Sequence, residues 1–311
     1  MALERPTLLV IGQNGQVGYE LLRALAPLGQ VIGVDRTTCD LTNEQAVRSL
    51  VAKMQPDVIV NAAAYTAVDK AETDSDQAYL VNATAVGILA QAAAATGSLL
   101  VHYSTDYVFD GAKSSPYTEA DQTAPINVYG ASKLAGELAI ATALPQHLIF
   151  RTTWVFGAHG GNFAKTMLKL GRDRDTLNVI ADQHGVPTSA ALIADVTAQV
   201  VAQYLRWKHD NVQGATTPFA FGLYNLTASG ESTWHAYASK VIQDAIAAGL
   251  PLKVAPERVH PIPTSAYPTP AARPANSRLC CDKLVSAFGI HLPDWTVHVE
   301  STVKLLVELK Q

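Results

Sequence analysis

Thr7-Leu8-Leu9-Val10-Ile11 runs without a break into Gly12-Gln13-Asn14-Gly15-Gln16-Val17-Gly18, and that segment into Tyr19-Glu20-Leu21-Leu22-Arg23-Ala24-Leu25. The first five residues have the continuous apolar character of a parallel strand buried on both faces. The last seven follow a helical pattern. At the junction Gly12 permits the tight turn, Gly15 lets backbone approach a ligand, and Gly18 allows close helix–strand packing. The helix N-terminus, opening at Gln16-Val17, then offers amide donors to a pyrophosphate. The spacing is GxxGxxG rather than GxGxxG, so the strand–glycine–helix context, not a literal fingerprint, points to a dinucleotide site.

A second strand, Val31-Ile32-Gly33-Val34, ends at Asp35-Arg36, 17 residues beyond Gly18. An acidic residue there can accept hydrogen bonds from an adenosine ribose, and a neighbouring Arg can face a 2′-phosphate. With both present, NADH and NADPH stay equally open. Asp40-Leu41 follows, a carboxylate and an apolar side chain that can flank the adenine.

Outward from this unit, strand and helix alternate. Asn43 to Met54 reads as a helix, Asp57 to Asn61 as a strand, Asp76 to Thr96 as a long helix and Leu99 to Ser104 as a strand. A helix through Tyr129 and Lys133 comes next, then the strand His147 to Arg151. This alternation predicts an α/β fold, a Rossmann-type doubly wound parallel sheet, with ligands beyond the carboxyl ends of its strands. Three segments occupy those ends: Asn61 to Thr66, Ser104 to Phe109 and Arg151 to Phe156. Small Ala62, Ala63 and Ala64 let a cofactor lie against backbone. Thr105 offers a hydroxyl beside a reacting carbonyl, and Asp106 can fix substrate hydroxyls.

Residues 1–151 are therefore expected to form the dinucleotide-binding domain, with a later stretch, about 176–230, returning to it. Residues 152–311 are expected to be mainly an interleaved, smaller substrate-binding lobe. Within it Ser189 to Tyr204, Ser232 to Ala248, Asp282 to Phe288 and Trp295 to Leu309 read as helices, and Gly222 to Leu226 as a strand. Pro251 to Arg278 holds seven prolines, which excludes regular helix and suggests an ordered binding loop. Its Arg273 and Arg278 can pair with a diphosphate.

Tyr129 and Lys133 stand one helical turn apart, an i,i+4 pair on one face. At roughly 6 Å and an effective dielectric of about 20, the ammonium favours the phenolate by about 3 kcal/mol, roughly two pKa units. Such a tyrosine can pass a proton to a carbonyl oxygen or take one from an alcohol.

A net charge of −4 over 311 residues leaves no basic footprint for nucleic acid. No segment has the length and apolarity of a membrane span, and Met1 to Pro6 lacks a signal-peptide core. Cys39, Cys280 and Cys281 make no disulfide framework and fit a reducing, cytoplasmic compartment. The nine histidines show no zinc-ligand spacing.

These residues resemble the extended short-chain dehydrogenase/reductase family, in the branch that reduces dTDP-4-keto-6-deoxy sugars. The resemblance spans nearly the whole chain. It rests on Gly12 to Gly18, Pro56 to Ala64, Ala67 to Glu72, Tyr103 to Phe109, Asn127 to Gly130 and Asn162 to Met167, and most specifically on Pro263 to Pro270 and Arg273 to Arg278. It implies NADPH- or NADH-dependent reduction of the C4 keto group of a dTDP-sugar. Tyr129 is then the proton donor, Lys133 the holder of the nicotinamide ribose and tuner of Tyr129, and Thr105 the hydroxyl beside the carbonyl. Gly15, Gln16, Val17, Asp35, Asp40, Leu41, Ala64, Tyr65 and Thr66 fall on cofactor positions, and Asp106 and Trp154 on sugar-nucleotide positions.

Some members of the family resemble magnesium-linked dimers held by carboxylates from three segments. Here Glu20 matches the first, but Ala191 and Thr296 stand at the others. A hard dication favours carboxylate oxygens, so no structural magnesium is expected and a monomer is placed ahead of a homodimer. The alternatives are another sugar-nucleotide reductase or epimerase of the family, and a non-catalytic NADP-binding regulatory subunit. A 4,6-dehydratase would need an Asp-Glu pair after the central Thr, where this chain has Asp106-Tyr107.

Overall fold

Strand β1, Thr7–Ile11, alternates its side chains between two buried layers. Leu8 and Val10 face one core, Leu9 and Ile11 the other, as the period of two in a strand requires. The same alternation recurs in β3, Val58–Asn61, and β4, Leu99–Thr105, so both faces of the central sheet are covered. The computed structural model describes residues 5–212 and 218–309.

The sheet is completed by β2, Gln30–Val34, β5, His147–Thr152, and β6, Gly222–Asn225. All its pairings are parallel, in the order β6-β5-β4-β3-β1-β2. The chain leaves β1 for β2 on one side and returns to β3 on the other. That reversal opens a crevice beyond the carboxyl ends of β1 and β3, where ligands of such sheets bind.

Helix α1, Gln16–Leu25, packs on the later helix Ala190–Val212, while α2, Glu44–Met54, packs on the long helix α3, Ser75–Thr96. Asn43 caps α2 by accepting from the Ala46 amide at 3.0 Å. Helix α3 is not regular: Leu80–Thr84 forms a π-turn between two α-helical pieces. By length and composition α3 matches a membrane-spanning helix, with mean hydropathy 1.4, which corrects the expectation that no segment does. Its Ala85, Val86, Leu89, Ala90 and Ala93 are buried in the core beneath the sheet, and that packing accounts for the apolar sequence.

Helix α4, Val128–Ala143, carries Tyr129 and Lys133. The helix expected over Ser189 to Tyr204 runs on to Val212. Between Pro251 and Arg278 there are only single 3₁₀ turns and the strand Val259–Ile262, which pairs in parallel with Leu177–Ile180.

Candidate active site

Gly12 has φ +83°, and a Cβ there would lie 2.8 Å from the Ala63 nitrogen. Both the dihedral and the space demand glycine. A Cβ on Gly18 would fall 2.0 Å from the Gly12 carbonyl oxygen, so Gly18 serves helix packing. Gly15 caps α1 without any side-chain hydrogen bond. The first amides of α1 are left to face a ligand, which suits an anion such as a pyrophosphate.

At the end of β2, Asp35 Oδ1 accepts from the Thr37 hydroxyl at 2.6 Å and the Thr37 amide at 3.0 Å, while Oδ2 accepts from Asn14 at 2.8 Å. The Thr37 hydroxyl, foremost of these donors, holds the carboxyl well below its usual range. Arg36 is 81% exposed and only loosely paired with Asp40, at 3.7 Å.

These elements wall a cavity of about 830 Å³. Of the sequence-derived cofactor residues, Gly12, Gly15, Gln16, Val17, Asp35, Arg36, Asp40, Leu41, Ala63, Ala64, Tyr65 and Thr66 all line it. Tyr129 and Lys133 line it too, which puts the acid–base pair on the same wall system as the glycine turn. Gly18 does not, in keeping with its packing role. Thr105, Asp106, Trp154 and Arg273 also lie off this wall. Sequence reasoning missed Cys39, Asp74, Gln77, Val81, Gly160 and Gly161, which the fold brings to the wall from loops and helix faces without a local motif.

Another missed residue is Asn82, fully buried in the π-turn of α3. Its Oδ1 accepts from the Tyr65 amide at 2.9 Å, and its Nδ2 donates to the Tyr65 carbonyl and the Ser132 hydroxyl, each at 3.0 Å. One side chain thereby ties the loop after β3 to helix α4.

Asn127 caps α4, accepting from the Gly130 amide at 2.7 Å, and Glu72 accepts from the Val128 amide at 2.9 Å. Lys133 is 2% exposed; its Nζ donates to the Tyr103 carbonyl at 2.6 Å and lies 3.1 Å from His102 Nε2. Burial pushes Lys133 down to about 8, against the opposing charge of Glu137. Burial also pushes the Tyr129 phenol upward, helped by the Asp106 charge and opposed by the neighbouring Thr105 hydroxyl. The shift runs opposite to the expected lowering of Tyr129, and desolvation of the phenolate is its first cause. A phenol kept protonated is well suited to giving a proton away.

Behind the pair, Glu137 and Arg151 form a buried two-point ion pair at 2.9 and 2.6 Å, with the guanidinium over the Phe109 ring at 5.0 Å. It clamps α4 to β5.

On the far side of Tyr129, Thr105 Oγ1 donates to Asp106 Oδ1 at 3.0 Å. Asp106 is 3% exposed, and burial pushes it up to about 6 although the Ser277, Thr105 and Thr153 hydroxyls oppose the shift. Its Oδ2 has no hydrogen-bond partner. Arg273 is engaged by Asp69 at 2.9 Å and by the Ala271 carbonyl at 2.9 Å, and Asn127 Nδ2 donates to the Ala272 carbonyl at 2.9 Å. Arg278 is likewise paired, with Glu231 at 2.7 Å. The proline-rich segment is thus strapped across the start of α4. Trp154 adopts φ +46°, a strained value for a bulky residue. Its indole stacks on Trp234 at 3.7 Å, with a Cβ-free Gly185 against its edge.

Residues 6–308 match the family model described as RmlD substrate binding domain. A dTDP-4-dehydrorhamnose reductase of Burkholderia thailandensis is 50% identical over 302 residues, covering 96% of this chain and 99% of the relative. Among solved structures, a dTDP-4-dehydrorhamnose reductase of Clostridium acetobutylicum superposes with a TM-score of 0.85 at 35% identity, covering 96% of this chain and 99% of that one. The Bacillus anthracis dTDP-4-dehydrorhamnose reductase, solved in complex with NADP, gives 0.83 at 33% identity, with coverage of 96% and 98%.

Proposed function

Because the chain belongs to the dTDP-4-dehydrorhamnose reductase family, we propose that it reduces the C4 keto group of dTDP-4-dehydro-6-deoxy-L-mannose with NADPH or NADH, giving dTDP-L-rhamnose. The observation that carries this reading is the shared cavity, with the Gly12 turn at one end and Tyr129 and Lys133 at the other. The cavity fits a dinucleotide on its own features. Gly12 leaves room that any Cβ would take, α1 presents uncapped amides, and Asp35 stands at the end of β2.

When bound there, the reduced nicotinamide supplies a hydride to C4. Tyr129 gives its phenolic proton to the C4 oxygen, and its upward-shifted affinity keeps that proton on the phenol until the oxygen becomes basic. Thr105 hydrogen-bonds the same oxygen and steadies developing charge. Lys133 holds the nicotinamide ribose. Asp106 and Trp154 take the sugar, and Arg273, positioned by its Asp69 contact, pairs with the diphosphate. Residues 152–311 form most of the substrate-binding lobe.

The protein acts as a cytoplasmic monomer without structural magnesium. In support, Arg23 already bridges Glu20 at 3.2 Å and Asp195 at 2.8 Å, filling the place between those carboxylates with a guanidinium.

The test is NADPH oxidation, followed by absorbance, with enzymatically generated dTDP-4-keto-L-rhamnose. Wild type turns over, and Tyr129→Phe loses roughly 10²- to 10⁴-fold in kcat. No turnover by wild type, or full turnover by Tyr129→Phe, removes the assignment.

A further inference from the structure

His102 sits fully buried in the middle of β4, between the catalytic-pair lysine and the loop that lines the coenzyme cavity. Its Nε2 is 3.1 Å from Lys133 Nζ and its Nδ1 is 3.1 Å from Asn61 Nδ2. Asn61, 1% exposed at the end of β3, accepts from the Ala63 amide through Oδ1 at 3.2 Å. These contacts form one chain, from the backbone of the cavity loop to the lysine.

Counting hydrogens along it leaves a single consistent arrangement. The Ala63 N–H can only donate, so the oxygen of the Asn61 amide faces Ala63 and its NH₂ faces His102. His102 Nδ1 is then an acceptor, and a neutral imidazole must carry its hydrogen on Nε2. That hydrogen points at Lys133 Nζ, which has to offer a lone pair. An ammonium has none. The amine form keeps two N–H groups: one is taken by the Tyr103 carbonyl at 2.6 Å, and one is left for the cavity that Lys133 lines.

We propose that His102 is a positioning residue for Lys133: locked by Asn61 in the Nε2–H tautomer, it favours the neutral amine of Lys133, with one N–H directed at the coenzyme cavity, and so eases loss of the lysine's third proton. Charging the lysine requires the whole chain to reverse, at the cost of the Ala63 contact. The other groups near Lys133 are the Tyr103 carbonyl from β4, and Tyr129 and Glu137 from its own helix. Arg151 neutralises Glu137 in the buried pair, so Glu137 does not by itself hold Lys133 charged. The downward direction for both His102 and Lys133 agrees with this arrangement.

Nitrogen-15 NMR of protein labelled at the histidine rings reads the tautomer directly, and His102→Gln identifies the signal by its loss. The expected result is a neutral imidazole throughout, in the Nε2–H form at about pH 9, where Lys133 is uncharged. An Nδ1–H tautomer at about pH 9, or an imidazolium titrating between about pH 6 and about pH 9, overturns the proposal even if every variant misfolds, because wild type alone decides it. Asn61→Asp, whose carboxylate accepts from Nδ1–H, should invert the tautomer.

A kinetic arm rests on the proposed reductase reading. In kcat/KM against pH, Asn61→Asp and the uncharged His102→Gln should both move the alkaline limb upward by about one unit, since each lets Lys133 stay protonated. Lower activity with an unmoved limb in both variants would mark His102 as merely structural. Absence of any reduction by wild type would fail the reductase reading and leave the tautomer result standing.

Discussion

Around the glycine turn the cavity wall is made mostly of backbone and near neighbours: Gly12 against Ala63, Asp35 bound by Thr37 and Thr38, Gly15 opening α1. Across Tyr129, on the side of the proline-rich strap, the contacts are made by side chains that reach residues far away in the chain. Asp69 reaches Arg273 over 204 residues and Asn127 reaches Ala272 over 145. The first region is fixed by steric exclusion, which has no soft alternative. The second is fixed by polar contacts of partial exposure, each worth roughly 1 kcal/mol or less when solvated. A rigid proposed coenzyme site beside a proposed substrate face that can be loosened is the difference to be tested.

The largest effect is expected at the turn. Gly12→Ala puts a methyl group against the Ala63 backbone at φ +83° and should weaken NADPH binding at least ~100-fold by calorimetric titration. Near-normal binding would show that the turn yields, and the contrast with the strap would collapse.

Asp106 comes next. Its proton affinity is raised in the folded chain, to about 6 from 3.8, so the folded state binds that proton more tightly than the unfolded chain. Stability conferred by the neutral form is complete below about pH 3.8 and is lost as pH rises through about 6, about 3 kcal/mol in all. Urea unfolding at about pH 4 and about pH 7 should show this loss in wild type and not in Asp106→Asn. The same slope in both proteins would mean that solvent reaches the carboxylate.

Breaking the strap should cost less. Asp69→Asn is expected to raise KM for the sugar nucleotide about 3- to 10-fold while leaving coenzyme affinity within about twofold. A matching loss of coenzyme affinity would show that the two regions are mechanically one. Arg36→Ala should do least: a two- to fivefold weaker NADPH constant with NADH unaffected, given an exposed and loosely paired guanidinium.

The glycine turn was legible because its meaning is local: three glycines, a strand before them and a helix after them suffice. The Tyr129–Lys133 spacing was legible for the same reason, but the direction of their shifts was not. That direction depends on how deeply the fold buries them, and a spacing carries no burial. Asn82, Asn61 and His102 passed unread as ordinary residues of a helix and two strands. Their importance comes from which neighbours the sheet order sets beside them. The apolar helix Ser75–Thr96 shows the converse, since its hydropathy suits a bilayer as well as the sheet it lies against.

Of the chain's four tryptophans, Trp154 and Trp234 are stacked nearly parallel, with ring centroids 3.7 Å apart. Two indoles in such contact couple their electronic transitions, so the pair should give a paired band of opposite signs in near-ultraviolet circular dichroism. The protein therefore carries an optical reporter at the place where the sugar is proposed to lie. A ligand that tilts Trp154 would announce itself as a change in the sign or size of that band, without label or coenzyme.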